Sequence, residues 1–138
     1  YNLLKRGIES TLQPAMQAYG LGLIPHTPLA AGLLSGKYRR NAPMPAGARM
    51  TRQKRYVDRW ITAANWEVLD RLNAFCRARG DTLLELAMSW LASRPLAASS
   101  IPGATTPEQV ELNARAAEWQ LTTEDLAAID DATQGSSA

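Results

Sequence analysis

Apolar residues recur every three or four positions through the middle of the chain, which is the spacing of one face of an α-helix. One helix is predicted over residues 64–79, and Gly80 ends it. The next begins at Thr82, which stands at capping-box spacing from Glu85, and it stops before Pro95. The apolar positions of these two helices are Trp66, Leu69, Leu72, Phe75 or Cys76, Leu86, Trp90 and Leu91.

Shorter helices are predicted from their boundary residues. Residues 12–19 form a helix with Thr11 as its N-cap. A later helix begins after Thr106, where Pro107 occupies the first helical position that favours proline. Thr122 caps a last helix. Residues 135–138 form a frayed tail.

Two short apolar runs, residues 21–26 and 96–101, have the length and character of strands buried in a parallel sheet. A third strand could end at residues 1–4. Because strands alternate with helices, the chain is predicted to be an α/β protein built from βα units. Residues 27–60 lack a sustained period and contain several Pro and Gly residues, so they are expected to be mostly a loop that acts as a lid.

Charge is concentrated in that lid. Residues 37–59 contain eight basic residues and one acid, a balance of +7, whereas the whole chain carries +2 and the remainder therefore −5. Such asymmetry indicates a segment that binds an anion, although a solvated loop has the same composition. Tyr38, Tyr56 and Trp60 lie among the basic residues, as in single-strand nucleic-acid sites, but the acidic remainder disfavours a nucleic-acid partner.

Composition narrows the class of protein further. A chain of 138 residues with 46% hydrophobic and 20% charged residues fits one globular domain, and no apolar run approaches the ~20 residues of a membrane span. Cys76 is the single cysteine and His26 the single histidine, so no internal disulfide forms and no metal site is expected. Cys76 is expected in the core, in a reducing, cytoplasmic setting. Twelve arginines against three lysines fit a GC-rich bacterial source.

Two segments have the character of anion-binding turns. The first, residues 26–38, follows a predicted strand, and Gly32 and Gly36 would let backbone N–H groups approach an anion beside Lys37. Its spacing differs from a P-loop, so an ordinary turn stays an alternative. The second, residues 101–109, leads from a strand into a well-capped helix, whose N-terminus attracts anions. Simple helix capping explains the same pattern.

Taken in order, these motifs resemble one family, the aldo-keto reductases, which includes the potassium-channel β subunits. The family pattern Y-N-L-L-x-R matches residues 1–6, and S-P-L-A-x-G-x-L-x-G-K-Y matches residues 27–38 with Thr27 in place of Ser. A Pro and then an Arg in the lid match Pro45 and Arg49. The pattern I-P-G-A-[ST]-x-x-E-Q-x-x-x-N matches residues 101–113. The resemblance covers essentially the whole chain.

The resemblance implies a (β/α)8 barrel that reduces aldehydes or ketones with NADP(H). Residues 1–138 would form the C-terminal half of that barrel, with two to three parallel strands and a basic cofactor lid at about residues 37–60. His26 would lie beside the nicotinamide, and the turn from Thr27 would hold the pyrophosphate, with Lys37 and Arg49 reaching the phosphates. The implied cofactor-binding residues are His26, Thr27, Pro28, Leu29, Gly32, Gly36, Lys37, Arg49, Gly103, Thr105, Gln109 and Asn113.

The sequence also departs from the family pattern. Leu112 stands where related sequences often carry a Glu before the adenine-binding Asn, and the preference for NADP over NAD would rest on Thr105, Gln109 and the basic lid. The family's catalytic Asp, Tyr, Lys and His lie in the first half of the barrel, and none maps onto this chain. Without that Tyr, no reductase activity is expected from the chain alone.

Three states of the chain are compatible with these features. Because it opens at Tyr1 without Met, it is interpreted as a fragment whose first half-barrel is lost or lies on another chain. It could instead be a half-barrel that pairs with a second copy of itself. It could also be a non-catalytic module that binds NADP(H), in the manner of a channel β subunit.

Overall fold

A computed structural model describes residues 1–134 of the chain. The described part is mainly helical, and its two 3-10 helices are Gly7–Glu9 and Ala30–Ser35. Its α-helices are α1 (Leu12–Ala18), α2 (Arg49–Arg52), α3 (Arg55–Trp60), α4 (Ala63–Arg79), α5 (Leu83–Ala92), α6 (Pro107–Arg115) and α7 (Thr123–Thr133). The predicted helices are therefore present. The tail expected at residues 135–138 lies outside the described residues.

Side-chain caps set most helix starts as the sequence predicts. At the start of α5, the Thr82 hydroxyl accepts from the Glu85 N–H at 3.2 Å, while the Glu85 carboxylate accepts from the Thr82 N–H at 2.7 Å. The Thr106 hydroxyl accepts from the Gln109 N–H at 3.4 Å and so caps α6. Gly80 ends α4 with a φ of 80°, a left-handed conformation that glycine adopts without strain.

The predicted cap at Thr11 is wrong. Thr11 makes no side-chain cap on α1, and its hydroxyl instead donates to the Gly7 carbonyl at 3.0 Å. The reason is local: the 3-10 turn Gly7–Glu9 ends two residues before Thr11 and presents the Gly7 carbonyl within reach, so the hydroxyl bonds backward along the chain.

The core lies where α4 and α5 pack against α7, the turn 30–35 and the start of the chain. Its fully buried side chains include Leu3, Leu4, Leu33, Leu34, Leu69, Leu72, Leu86, Trp90 and Ile129. Cys76 is buried among them, as predicted, and burial raises the pKa of its thiol to about 11. The thiol is therefore protonated at neutral pH and unreactive.

The two predicted strands run side by side and parallel, but neither forms a regular strand. Leu23 and Ala97 make an isolated parallel bridge, with the Leu23 N–H donating to Leu96 at 2.6 Å and its carbonyl accepting from the Ala98 N–H at 3.0 Å. Two adjacent segments with no third neighbour stabilise a ladder poorly, because each is paired on one edge only. No regular strand occurs within residues 1–134, so the half-barrel stays a prediction.

The third strand end expected at residues 1–4 is a tight turn. The Lys5 N–H donates to the Asn2 carbonyl at 2.9 Å, and the pair forms an antiparallel bridge. The Asn2 side chain is buried and donates to the Thr27 carbonyl at 2.9 Å. This contact fixes the start of the turn that follows residue 26.

The lid, predicted to be mostly loop over residues 27–60, also contains short helices. It contains α2 and α3, and each helix inserts one side chain into the core: Met50 is 1% exposed and Trp60 is 3% exposed. The Tyr38 hydroxyl accepts from the Met50 N–H at 3.2 Å, and Arg40 pairs with Asp70 of α4 at 3.0 Å. Tertiary anchors therefore stabilise helices too short to show a sequence period.

Candidate functional site

A cavity of about 560 Å³ lies between three segments: the turn after residue 26, the lid around α2, and the turn that leads into α6. Such a volume is within the range of small-molecule and cofactor sites. The residues that line it are Thr27, Leu29, Ala31, Gly32, Ser35, Lys37, Pro45, Ala46, Gly47, Ala48, Arg49, Arg52, Gln53, Leu84, Gly103, Thr105, Gln109, Leu112 and Asn113.

The first wall is a turn with an unusual backbone. Ala30, Ala31 and Gly32 have φ values of 48°, 57° and 94°, so three successive residues adopt left-handed conformations. Two of them are alanines, for which such conformations are strained. The Gly32 N–H donates to the Leu29 carbonyl at 2.8 Å, and the Ser35 hydroxyl donates to the Gly32 carbonyl at 2.7 Å. Strain of this kind is concentrated at functional sites.

Lys37 lies directly over that turn. A Cβ placed on Gly32 would come within 2.8 Å of the Lys37 Cε and 2.9 Å of its Nζ, so the end of the lysine side chain would have to move, while the φ of 94° itself favours glycine. Partial burial, and then the charge of Arg49, lower the pKa of Lys37 from its ordinary value. The two cations are therefore close enough to repel each other through the cavity.

The second wall is the lid, and Arg49 crosses from it to the third wall. A Cβ placed on Gly103 would lie 3.0 Å from the Arg49 Nη2, so the guanidinium rests on the Gly103 backbone. The Arg49 guanidinium carbon is also 6.0 Å from the centre of the Tyr56 ring. Arg49 thus bridges the lid and the turn before α6.

The third wall is organised by Gln109. Its Oε1 accepts from the Thr105 N–H at 2.8 Å and from the Thr105 hydroxyl at 3.2 Å. These bonds fix the turn at the start of α6. Asn113, one turn further along the helix, is 8% exposed and lines the same cavity, so a buried amide is available to a ligand.

Most of the predicted cofactor residues meet at this cavity. Thr27, Leu29, Gly32, Lys37, Arg49, Gly103, Thr105, Gln109 and Asn113 all line it. The other three do not: His26 is exposed, Pro28 is buried, and Gly36 ends the 3-10 helix Ala30–Ser35 with a φ of 77°. The structure thus joins residues that are more than 80 positions apart in the sequence.

Sequence reasoning missed Ala31 and Arg52. Nothing about an alanine indicates a positive φ, so Ala31 gave no signal. Arg52 was one of eight basic residues in the lid, and its charge alone did not distinguish it. Its position three residues after Arg49, on the same side of a helical turn, was the available signal.

The cavity suits an elongated polyanion. Lys37, Arg49 and Arg52 line it, and no lining residue among the described ones is Asp or Glu. Each of the three walls contains a glycine, and Leu29, Leu84 and Leu112 add apolar surface for a ring. A ligand with charged phosphates and an attached base would therefore match both the cationic and the apolar side chains of the lining. Within residues 1–134, no group of three His, Cys, Asp or Glu side chains is placed to hold a metal ion.

Comparison with known proteins identifies the family of the chain. A model of the aldo/keto reductase family matches residues 1–134. The chain belongs to this family. Members of the aldo-keto reductase family share a (β/α)8 barrel, so family membership places the chain in the barrel fold class, although its own half-barrel is unconfirmed.

Individual relatives carry several different names. The chain is 38% identical to L-glyceraldehyde 3-phosphate reductase of Escherichia coli O157:H7, over 94% of this chain and 39% of that protein. It is 35% identical to a probable voltage-gated potassium channel subunit beta of Oryza sativa subsp. japonica, over 84% and 36% of the two chains. It is 31% identical to the protein tas of Escherichia coli K12, over 94% and 37%.

The chain spans about two fifths of the length of these curated relatives. The match therefore identifies the family of this chain, whereas the activities that the relatives' names state are those of longer proteins. Of the helices in residues 1–134, none has both the length and the apolar character needed to cross a bilayer.

Proposed function

We propose that this chain is the NADP(H)-binding part of an oxidoreductase that reduces aldehydes or ketones. The observation that supports the proposal is the meeting of three distant segments around one cavity. Lys37, Arg49 and the turn from Gly103 to Gln109 line it together, as the family resemblance requires of a dinucleotide site. The L-glyceraldehyde 3-phosphate reductase among the relatives supports the reaction class.

In this proposal each wall has one role. The backbone from Thr27 to Gly32 approaches the pyrophosphate, while Lys37 and Arg49 neutralise its charge from above. Thr105, Gln109 and Asn113 hold the adenosine end, with Gln109 keeping the Thr105 turn in place. His26, exposed at the end of its segment, is proposed to lie beside the nicotinamide; Pro28 and Gly36 shape the turn.

Bound NADPH would supply the hydride for carbonyl reduction. This chain would hold and orient the dinucleotide and exclude water from it beneath the lid, without a catalytic acid of its own. The groups that polarise and protonate the carbonyl would come from the first half of the barrel. The proposed partner is therefore that half, joined to this chain or on another. A cytoplasmic setting and a bacterial source belong to the same proposal.

The proposal is tested by calorimetric titration of the full chain with NADPH. Arg49→Ala is expected to weaken binding about 10- to 100-fold, because it removes a charge-assisted contact worth about 1.5–3 kcal/mol. Arg39→Ala is the matched control: Arg39 is exposed on the same basic lid, does not line the cavity, and should change affinity less than about twofold. Failure to bind NADPH, or equal affinity of the Arg49→Ala variant, would refute the proposal.

A second candidate, a self-assembling or non-catalytic binding module, is favoured by exposed apolar residues on the paired segments. Leu21 is 55% exposed, and Ile24 and Ile101 are each 57% exposed. These side chains lie on the segments that pair in parallel and need a cover. Light scattering separates the states: a dimer supports self-assembly, whereas a monomer that gains carbonyl-dependent NADPH oxidation on mixing with a first half-barrel supports the enzyme.

A further inference from the structure

The first wall of the cavity is held from outside the cavity by the side chain of Asn2. This residue is 1% exposed, and the two polar atoms of its side chain have different partners. The Asn2 Oδ1 accepts from the Leu4 N–H at 2.9 Å, which closes the turn at the start of the chain. The Asn2 Nδ2 donates to the Thr27 carbonyl at 2.9 Å. Thr27 lines the cavity and Asn2 does not, so Asn2 contacts the backbone of the wall without reaching the ligand space.

The Thr27 carbonyl is the point at which a strained stretch of backbone begins. It accepts a second hydrogen bond, from the Ala30 N–H at 3.2 Å. Ala30 opens the run of three positive φ values that continues through Ala31 and Gly32. Backbone in such conformations persists only where the surrounding structure determines it. Asn2 contributes to that determination, because it fixes the carbonyl to which the first strained residue is bonded.

The turn that carries Asn2 is anchored by contacts of its own. Leu3 is 0% exposed and Leu4 is 1% exposed, so both side chains lie in the core. Arg6 follows the turn, and its Nη1 donates to Asp130 of α7 at 2.8 Å. None of these contacts involves the cavity wall. The Asn2 amide is therefore fixed in place before a ligand arrives, and it can determine the position of the wall.

We propose that Asn2 is a positioning residue of the ligand site: it holds the Thr27 carbonyl and thereby keeps the backbone from Thr27 to Gly32 in the conformation that receives the pyrophosphate. The inference rests on the proposed function, because it presumes that this wall receives a dinucleotide. With Asn2 in place the wall is ordered before binding, so binding carries no cost for ordering it. Without the Nδ2 donor the wall relaxes from its strained conformation, and binding has to restore it.

Asn2→Ser separates the two hydrogen bonds of this side chain. A serine hydroxyl can still accept from the Leu4 N–H, because serine closes turns of this kind, but it is too short to reach the Thr27 carbonyl. Calorimetric titration of the full chain with NADPH should show affinity weakened about three- to tenfold, as expected for the loss of one net hydrogen bond. Asn2→Ala, which removes both bonds, should weaken binding at least as much.

Ser89→Ala is the matched control for the loss of buried hydrogen bonds. Ser89 is 2% exposed and does not line the cavity. Its hydroxyl donates to the Ala116 carbonyl at 2.9 Å and accepts from the Trp119 N–H at 3.1 Å. This variant should lose stability as Asn2→Ala does and change NADPH affinity less than about twofold. Equal weakening of NADPH binding by the two variants would show that general destabilisation sets the affinity, and would overturn the inference.

Amide hydrogen exchange of the ligand-free chain tests the positioning itself. In Asn2→Ser, the Ala30 and Gly32 N–H groups, which donate to carbonyls within the wall, should exchange about three- to tenfold faster relative to the amides of α5. Unchanged exchange at these two amides, or unchanged NADPH affinity, would overturn the inference and leave the proposed function intact. If the unaltered chain binds no NADPH, the proposed function fails, and with it the ligand role assigned to Asn2.

Discussion

Charged side chains are used in opposite ways in two regions of the molecule. Where α7 packs against the rest, arginines meet carboxylates: Arg6 binds Glu9 and Asp130, each at 2.8 Å, and Arg79 binds Asp125 at 2.7 Å. Around the cavity, Lys37, Arg49 and Arg52 have no carboxylate partner among the described residues. The paired charges hold elements of the fold together.

The unpaired cations repel one another, and folding alone gives no reason to gather them. Partial burial lowers the pKa of Lys37, and the charge of Arg49 lowers it further, as expected for two cations that repel each other. A binding site tolerates such repulsion because an anionic ligand relieves it. The comparison therefore predicts that substitutions in the packed region act on stability, whereas substitutions at the cavity act on binding.

The largest effect on stability is expected from Leu72→Ala. Leu72 is fully buried in α4, so its truncation removes apolar contacts and leaves a cavity, at a cost of about 2–5 kcal/mol in the free energy of unfolding. Chemical denaturation measures this loss. Val110→Ala, at a position 58% exposed on α6, is the control and should change stability by no more than about 0.5 kcal/mol. A loss below about 1 kcal/mol for Leu72→Ala would contradict the assignment of the core.

The packed region is also the one that the sequence describes best. Thr82, Thr106 and Gly80 mark helix boundaries because caps are satisfied within a few residues of the chain. The strands could not be confirmed in the same way. A strand needs a partner from elsewhere, and Leu23 finds only Ala97. Local rules therefore predicted the helices, whereas non-local pairing decided the strands.

Only those cavity-lining residues that belong to recognisable sequence motifs could be predicted from the sequence. Lys37, Gly103 and Gln109 stand at spacings that the family pattern preserves, so the resemblance placed them in one site. The positive φ of Ala31 and the cavity position of Arg52 depend on how the chain bends at residues 29–32 and at Gly47. The pattern of residue types along these segments does not predict the bends.

An intermediate effect, on both stability and binding, is expected from Gly32→Ala. The substitution adds a side chain at a φ of 94° and places its Cβ 2.8 Å from the Lys37 Cε. The strain should cost about 1–2 kcal/mol of stability, and displacement of Lys37 should weaken NADPH binding. Thermal unfolding and calorimetric titration measure the two consequences.

Gly20→Ala separates backbone strain from displacement of Lys37. Gly20 has a φ of 63°, and a Cβ there would meet no atom within 4 Å. This variant should lose stability to strain alone and bind NADPH as the unaltered chain does. If both glycine variants bind NADPH equally well, the position that Lys37 takes over Gly32 is not needed for binding, and the cavity differs less from the packed region than proposed.

The smallest effect on stability is expected from Asp125→Asn. The pH dependence of this effect tests whether paired charges stabilise the packed region around α7. Asp125 accepts from the Thr122 N–H at 3.1 Å and from the Arg79 Nε at 2.8 Å, so it closes the capping box of α7. The Thr122 N–H holds the pKa of Asp125 below its ordinary value; burial opposes this shift, and Arg79 reinforces it. Removing the charge should cost about 1 kcal/mol at neutral pH.

Because the folded pKa of Asp125 is lowered, the stability that its charge contributes is present above the ordinary pKa of about 3.9 and is lost as the pH falls through the folded value. The difference in unfolding free energy between the unaltered chain and Asp125→Asn should therefore be constant from about pH 7 to 5 and shrink below about pH 4. Glu124→Gln removes a charge from the same first turn of α7 but no side-chain hydrogen bond, so it should cost less than about 0.5 kcal/mol. A pH-independent difference for Asp125→Asn would show that the contacts of Asp125 with Arg79 and Thr122 do not stabilise the fold through charge. The claim that paired charges stabilise the packed region would then be contradicted.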